Sequence, residues 1–339
     1  MSSWNEAMRG ASWVACLAIT AAAQPAPQQD AAALYEQGRK AAADHDYNEA
    51  ERSFGEALKI WRQMGPAYEA HAATALVNLG ESRCNSGNWQ LGVAALEEAL
   101  PLHRRALGPR HIRTVYNLSW LGHAYLLTGS LDRAEAVLEE ALQVERELYS
   151  HDVLIGHTLL GLSGVRRSQQ RLDEALDLGQ QGLQQALDAG PESSVGVALA
   201  YENVAALHLQ AGRPERALPL FRKARFIYEK TAGQSSMPLA SVLSQEGLAL
   251  MADGKLNAAE TDMLQAVDLL ARTGTGGEYR LAIAETNLGR LRLQQRKFAD
   301  ADRLLIDALA LENGLPSRPA HDIQVTLQAM AQLQKARPR

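Results

Sequence analysis

Small residues return along this chain at an almost constant interval. Ala50, Gly92, Ala134, Ala175, Ala217, Ala259 and Ala301 are separated by steps of 42, 42, 41, 42, 42 and 42 residues. Twelve residues before each stands another small residue: Gly38, Gly80, Gly122, Ser163, Ala205, Gly247 and Gly289. Seven residues after each comes a third set: Ala57, Ala99, Ala141, Gly182, Ala224, Ala266 and Ala308. Between the last two sets lies a large apolar residue (Phe54, Leu96, Leu138, Phe221, Met263, Leu305), with Gly179 the exception. At 339 residues a chain ordinarily holds two or three globular domains, but a period of this kind makes it an array.

Each unit reads as a helical hairpin. Apolar residues four and one before the first small residue, as in Leu76-Leu79-Gly80 and Leu118-Leu121-Gly122, form one helical stripe. A turn follows, often with glycine: Ser86-Gly87-Asn88, Thr128-Gly129-Ser130, Ala211-Gly212-Arg213, Asp253-Gly254-Lys255. The second helix then carries its small-large-small pattern, which lets two backbones approach closely. Only 5% of the residues are aromatic while 46% are apolar, so the core must come from Leu, Ala and Val, a helix-forming mixture. The register predicts units at about 31–72, 73–114, 115–155, 156–197, 198–239, 240–281 and 282–322. A capping helix is predicted over 323–334, with Leu327, Met330 and Ala331 on its packed side, and 335–339 is a basic tail. Gly161, Gly164, Gly179 and Gly182 soften the fourth unit, each at ~0.5–1 kcal/mol relative to Ala, and make it the expected hinge.

These columns resemble the tetratricopeptide repeat, most closely the 42-residue form of kinesin light chains. Asn78-Leu79-Gly80, Asn287-Leu288-Gly289, Glu174-Ala175-Leu176, Ala217-Leu218-Pro219-Leu220-Phe221 and Ala106-Leu107-Gly108-Pro109-Arg110-His111 carry the likeness, which spans about residues 30–336. HEAT and armadillo arrays share the period but lack these small-residue columns. The resemblance implies an all-α, right-handed α-solenoid of seven hairpins plus a capping helix, and a non-enzymatic scaffold or adaptor.

The beginning of the chain belongs to another regime. Ala11 to Ala23 is a largely apolar run, too short for a membrane helix of ~20 residues but of the length of a signal-peptide core, and Ala21-Ala22-Ala23 suits a signal peptidase. Residues 1–23 therefore read as a cleaved signal peptide and 24–29 as a flexible leader, placing the protein in the periplasm or outside the cell. Read otherwise, the run is a plain apolar leader or a first helix of the array, and the protein is cytoplasmic. Cleavage would leave Cys84 as the sole cysteine, either buried or available to pair with another chain.

No phosphate loop, zinc-protease motif or nucleophile elbow occurs. Thr273 to Gly277 is a glycine-rich connection with no strand before it. His103, His111, His151 and His321 fall near junctions between hairpins, where helix-start and packing roles are expected. His123 and His157 lie on adjacent first helices without a third ligand, so no metal or cofactor is expected. Glu97-Glu98 and Glu139-Glu140 recur at the repeat period, as a solvated outer face does. A net charge of -5 argues against nucleic acid, and no integral membrane segment is expected in the mature chain.

The resemblance implies that first helices line a concave, peptide-holding groove, partly through asparagines two residues before the small residue. That column reads Glu36, Asn78, Trp120, Gly161, Asn203, Gln245 and Asn287; His123, Arg167 and Arg290 belong to the groove positions that follow. The expected contact residues are Asn78, Trp120, His123, Arg167, Asn203, Gln245, Asn287 and Arg290, with a protein or peptide as partner and self-association as a further expectation. A sensor of a peptide or small ligand is the alternative, and an enzyme assembled across repeats a third.

Overall fold

The computed structural model describes residues 26–337 apart from 45, 149–152, 232–236, 273–276 and 316–319. The chain divides into two compact units, residues 1–189 and 190–339. In the first, α1 (Ala26–Ala43) and α2 (Tyr47–Gln63), α3 (Glu69–Asn85) and α4 (Trp89–Leu107), α5 (Ile112–Leu127) and α6 (Leu131–Leu148), and α7 (Val153–Ser168) and α8 (Leu172–Ala189) form four hairpins. In the second, α9 (Val195–Gln210) and α10 (Pro214–Thr231), α11 (Met237–Ala252) and α12 (Leu256–Ala271), and α13 (Glu278–Gln294) and α14 (Phe298–Gly314) form three, followed by α15 (Ala320–Ala336). Each unit is an all-α repeat solenoid: successive helices pack in chain order, and each first helix also packs on the first helix of the next hairpin.

Every hairpin turn closes in the same way. The backbone N–H of Asp46, Asn88, Ser130, Arg171, Arg213, Lys255 and Lys297 reaches the carbonyl five residues earlier at 2.8–2.9 Å, the helix-ending bond that needs a left-handed residue just before it. Gly87, Gly129, Gly212 and Gly254 supply that conformation, with φ between 70° and 86°. Gln170 and Arg296 adopt it as well, at φ 63° and 62°, at roughly 1–2 kcal/mol each.

Inside each hairpin the first helix offers a hole and the second a knob. A Cβ added to Gly38 would lie 2.8 Å from the Phe54 ring, one on Gly80 2.7 Å from Leu96 Cγ, and one on Gly122 2.4 Å from Leu138 Cγ. The second unit repeats the fit with Gly247 against Met263 at 2.6 Å and Gly289 against Leu305 at 3.0 Å. Leu96, Leu138, Phe221 and Leu305 are wholly buried. In the fourth hairpin, where Gly179 replaces the knob, Ser163 Oγ donates to the Ala175 carbonyl at 2.8 Å. Cys84 is buried against Gly92, and burial pushes its thiol up to about 12, so it is a packing residue within its hairpin.

Hairpins are joined through buried polar groups as well as apolar ones. Thr158 Oγ1 donates to Glu145 Oε1 at 2.9 Å and lies 2.8 Å from Ser119 Oγ. Thr326, Glu312 and Thr286 repeat this arrangement at 2.8 and 2.9 Å and seat α15. On the outer face, Arg62 pairs with Glu98, and Arg104 with Glu140 at 2.5 Å. Glu97 accepts from Arg133 at 2.6 Å, and Glu139 lies 3.8 Å from Arg166, so all four of these carboxylates sit beside arginines.

Three details differ from the sequence expectations. Helix α1 begins at Ala26, so residues 26–29 are helical rather than a flexible leader. Pro27 falls in the first turn, where no intrahelical N–H is lost, and Gln28 Oε1 accepts from the Tyr68 hydroxyl at 2.9 Å. The cap is rotated: Thr326, Ala329 and Leu333 are buried, Met330 packs beside them, while Leu327 is 50% exposed and Ala331 is exposed. The hydroxyl partner for Glu312 sets that rotation. Helix α15 also continues to Ala336, and Arg337 pairs with Asp302 at 2.8 Å, so the start of the expected basic tail is held in place. The glycines of hairpin four lie within the continuous helices α7 and α8. A Cβ on Gly164 would lie 2.6 Å from Leu126, and one on Gly182 3.0 Å from Leu160 and 3.2 Å from the Gly156 carbonyl. They are sites of close approach. Residues 1–23, His151 and residues 273–276 lie outside the described residues.

Candidate functional site

The amide column serves the stacking of hairpins first. Asn78 Nδ2 donates to Tyr35 Oη at 2.5 Å, Gln245 Nε2 to Glu202 Oε1, and Asn287 Nδ2 to Ser244 Oγ at 3.1 Å. Each donor reaches back 43 residues to the preceding first helix. A neighbouring helix therefore covers part of a column that the sequence places in an open groove. Trp120, at 1% exposure, and Asn287, at 6%, are not available to a ligand. Asn78, Asn203, Gln245, His123, Arg167 and Arg290 remain half-buried. Burial lowers the guanidinium pKa of both Arg167 and Arg290.

In the first unit a cleft of about 270 Å³ opens between α1, α2 and α3, lined by Tyr35, Glu36, Arg39, Phe54, Asn78 and Glu81 among others. Tyr35 is held against Phe54 and Trp61, its ring 5.5 Å from each. Both oxygens of Glu36 accept from Arg39 Nη1 at 3.0 Å. Glu81, one residue beyond Gly80, is 3% exposed and accepts from the Tyr116 hydroxyl at 3.2 Å. Burial pushes its carboxyl up to about 7 despite that hydrogen bond. The Tyr116 phenol is raised well above its ordinary value by burial and by Glu81. Among the described residues no histidine, serine or second carboxylate is hydrogen-bonded to Glu81.

The two histidines on adjacent first helices do come together. His123 and His157 stack with ring centroids 4.0 Å apart and planes at 15°, beside Trp120. Burial depresses His123 to about 4, and burial with His123 holds His157 well below its ordinary value. They are neutral packing rings at physiological pH. Among the described residues no three His, Cys, Asp or Glu side chains gather as a metal shell requires. Of the junction histidines, His111 caps α5, accepting from the Arg113 N–H at 3.1 Å, and His103 is buried 3.3 Å from Thr74 Oγ1.

The second unit holds a polar centre at Glu202, a residue the sequence places among the groove positions. Glu202 accepts from Tyr228 at 3.0 Å, from Ser241 at 3.3 Å and from Gln245, and burial raises its pKa. It occupies the position that Tyr35 holds in the first unit, so the signal was an acidic residue in a column otherwise apolar or neutral.

The tetratricopeptide repeat family model matches residues 71–147, 114–188 and 154–230. No curated protein matches the sequence. Among solved structures, BtubC (BKLC) from P. vanneervenii is 22% identical, with a TM-score of 0.54 over 68% of this chain and 94% of that one. NprR in complex with its cognate peptide NprX is 14% identical, with a TM-score of 0.64 over 91% and 87% of the two chains. The Rap conjugation gene regulator of plasmid pLS20, in complex with the Phr* peptide, is 12% identical, with a TM-score of 0.65 over 89% and 74%. These likenesses are of fold. No described helix is long and apolar enough to cross a membrane.

The environment of Glu81 makes a stability prediction. Its folded pKa of about 7 lies above its ordinary 4.5, so its contribution is fully present below pH 4.5 and is lost as pH rises through 7. Glu81→Gln, which stays neutral, will melt with the parent at pH 4.5 and above it at pH 8, by on the order of 1–3 kcal/mol. Thermal unfolding at the two pH values checks this; a pH-independent difference would contradict it.

Proposed function

We propose, from the premise that this chain is a tetratricopeptide-repeat protein, that it is a non-enzymatic interaction protein which takes an extended peptide, or an extended segment of a partner protein, on its first helices. The observation that carries this reading is the cleft between α1, α2 and α3, where amide, hydroxyl and charged side chains converge on a partly open space without the coupled acid, base and nucleophile that catalysis needs. The first-helix face supplies what an extended backbone requires: donors and acceptors on rigid elements, spaced by the repeat. The peptide complexes of NprR and of the pLS20 Rap regulator support a peptide over a small metabolite, on the same fold. They also support the second reading, in which peptide binding is the input of a sensor. Export is part of the proposal. It rests on the apolar run from Ala11 to Ala23, and a mature chain beginning at Gln24, seen by mass spectrometry of protein from the source cells, tests it.

Affinity capture with residues 24–339 and with the Asn78→Trp variant as baits tests the location. Asn78 lines the cleft, and an indole there fills it. A partner held by the parent and released by the variant is the expected result. Equal recovery would move the interaction to another surface, and both baits must show the same helicity.

A further inference from the structure

Glu81 is a buried carboxylate that forms no ion pair among the described residues. Among the described residues, the charged and titratable groups that line its cleft or meet it directly are Tyr35, Glu36, Arg39 and Lys40 from α1, Tyr116 from α5 and Cys84 from its own helix, and α2 contributes Phe54 to the lining. Arg39 is engaged by Glu36 through both carboxylate oxygens. Lys40 lines the same cleft but forms no ion pair with Glu81. The hydroxyl of Tyr116 at 3.2 Å is the neutral donor Glu81 has. A carboxylate taken from water is costly unless an opposite charge and further donors reach it.

The surroundings suit a cation. The carboxylate lines a cleft of about 270 Å³, just under the roughly 300–1,000 Å³ of drug-sized sites and of a scale for one side chain. Tyr35, half-buried, and the almost fully buried Phe54 line it with their rings packed 5.5 Å apart, and an aromatic ring attracts a cation brought over its face. The Tyr35 and Tyr116 oxygens and the Asn78 amide add acceptors for the several N–H groups of an ammonium or guanidinium. An anionic ligand would meet Lys40 and the Arg39–Glu36 pair in the lining, and would leave Glu81 without a counter-charge.

We propose that this cleft receives a basic side chain, lysine or arginine, of the bound peptide, with Glu81 as its counter-charge. This rests on the peptide reading above and names what that peptide must carry. Binding of the base then strengthens as Glu81 ionises, so affinity rises from pH 5.5 to pH 8.

Selection from a random heptapeptide library on the immobilised full chain at pH 8 tests both levels. The expected result is a consensus with Lys or Arg at one position. A synthetic consensus peptide should lose at least tenfold in affinity when that residue becomes norleucine. Glu81→Gln should bind the basic peptide at least tenfold more weakly than the parent does, yet bind the norleucine peptide as the parent does. The parent's preference for the base should shrink at pH 5.5. Selected peptides without a basic position, or a basic preference that survives Glu81→Gln, would overturn the inference and leave the peptide reading standing. A library that yields no binder would overturn both. A cooperative melt of Glu81→Gln establishes that the variant is folded in each arm.

Discussion

The close approach of a glycine or other small residue on each first helix to a large side chain on the second is the contact on which the remainder of the structure depends. It brings the two backbones near enough for the seven identical turns to close, and it fixes the faces that the hairpin presents to its neighbours. Where the knob is absent, at Gly179, the pair of helices is held by the hydroxyl of Ser163 on the Ala175 carbonyl instead. The fit tolerates different knobs, since Phe54, Leu138 and Met263 all fill it, while a Cβ added at Gly38, Gly122 or Gly247 would lie within 2.8 Å of its knob.

The hairpins themselves were legible because the constraint behind them is local: two small columns and one large column at fixed offsets determine which sides of two adjacent helices meet. What happens between hairpins was less legible. The amide column was expected in an open groove, yet Asn78, Gln245 and Asn287 each spend a donor on the helix before them. Their exposure depends on how far one hairpin turns relative to the next, which no spacing within a single repeat encodes. The capping helix shows the same limit. Its apolar residues were assigned by register, whereas its rotation is set by Thr326 meeting a carboxylate, Glu312, fourteen residues earlier. The recurrence of Ser119, Glu145 and Thr158 as Thr286, Glu312 and Thr326 was the readable signal for that seat.

Stacking and recognition therefore draw on the same side chains. Asn78 ties α3 to Tyr35 on α1 while lining the cleft, and Glu81 sits at a position that the repeat could fill with an apolar residue, as Leu248 does in the sixth hairpin. Keeping an acid there works against stability above neutral pH, and such local conflicts with the demands of folding are characteristic of sites under another requirement. His123 and His157 are the opposite case: an arrangement that looks chemical in sequence is, with the two rings stacked and neutral, part of the packing.

The most direct test of the account is a double-mutant cycle on Gly122 and Leu138, read as unfolding free energies. Alanine is favoured over glycine within a helix by ~0.5–1 kcal/mol, but a Cβ on Gly122 would stand 2.4 Å from Leu138 Cγ. Gly122→Ala is thus expected to destabilise the parent chain and to stabilise the Leu138→Ala chain, a reversal of sign that only a shared contact produces. Equal effects of Gly122→Ala in the two backgrounds would contradict the account at its base.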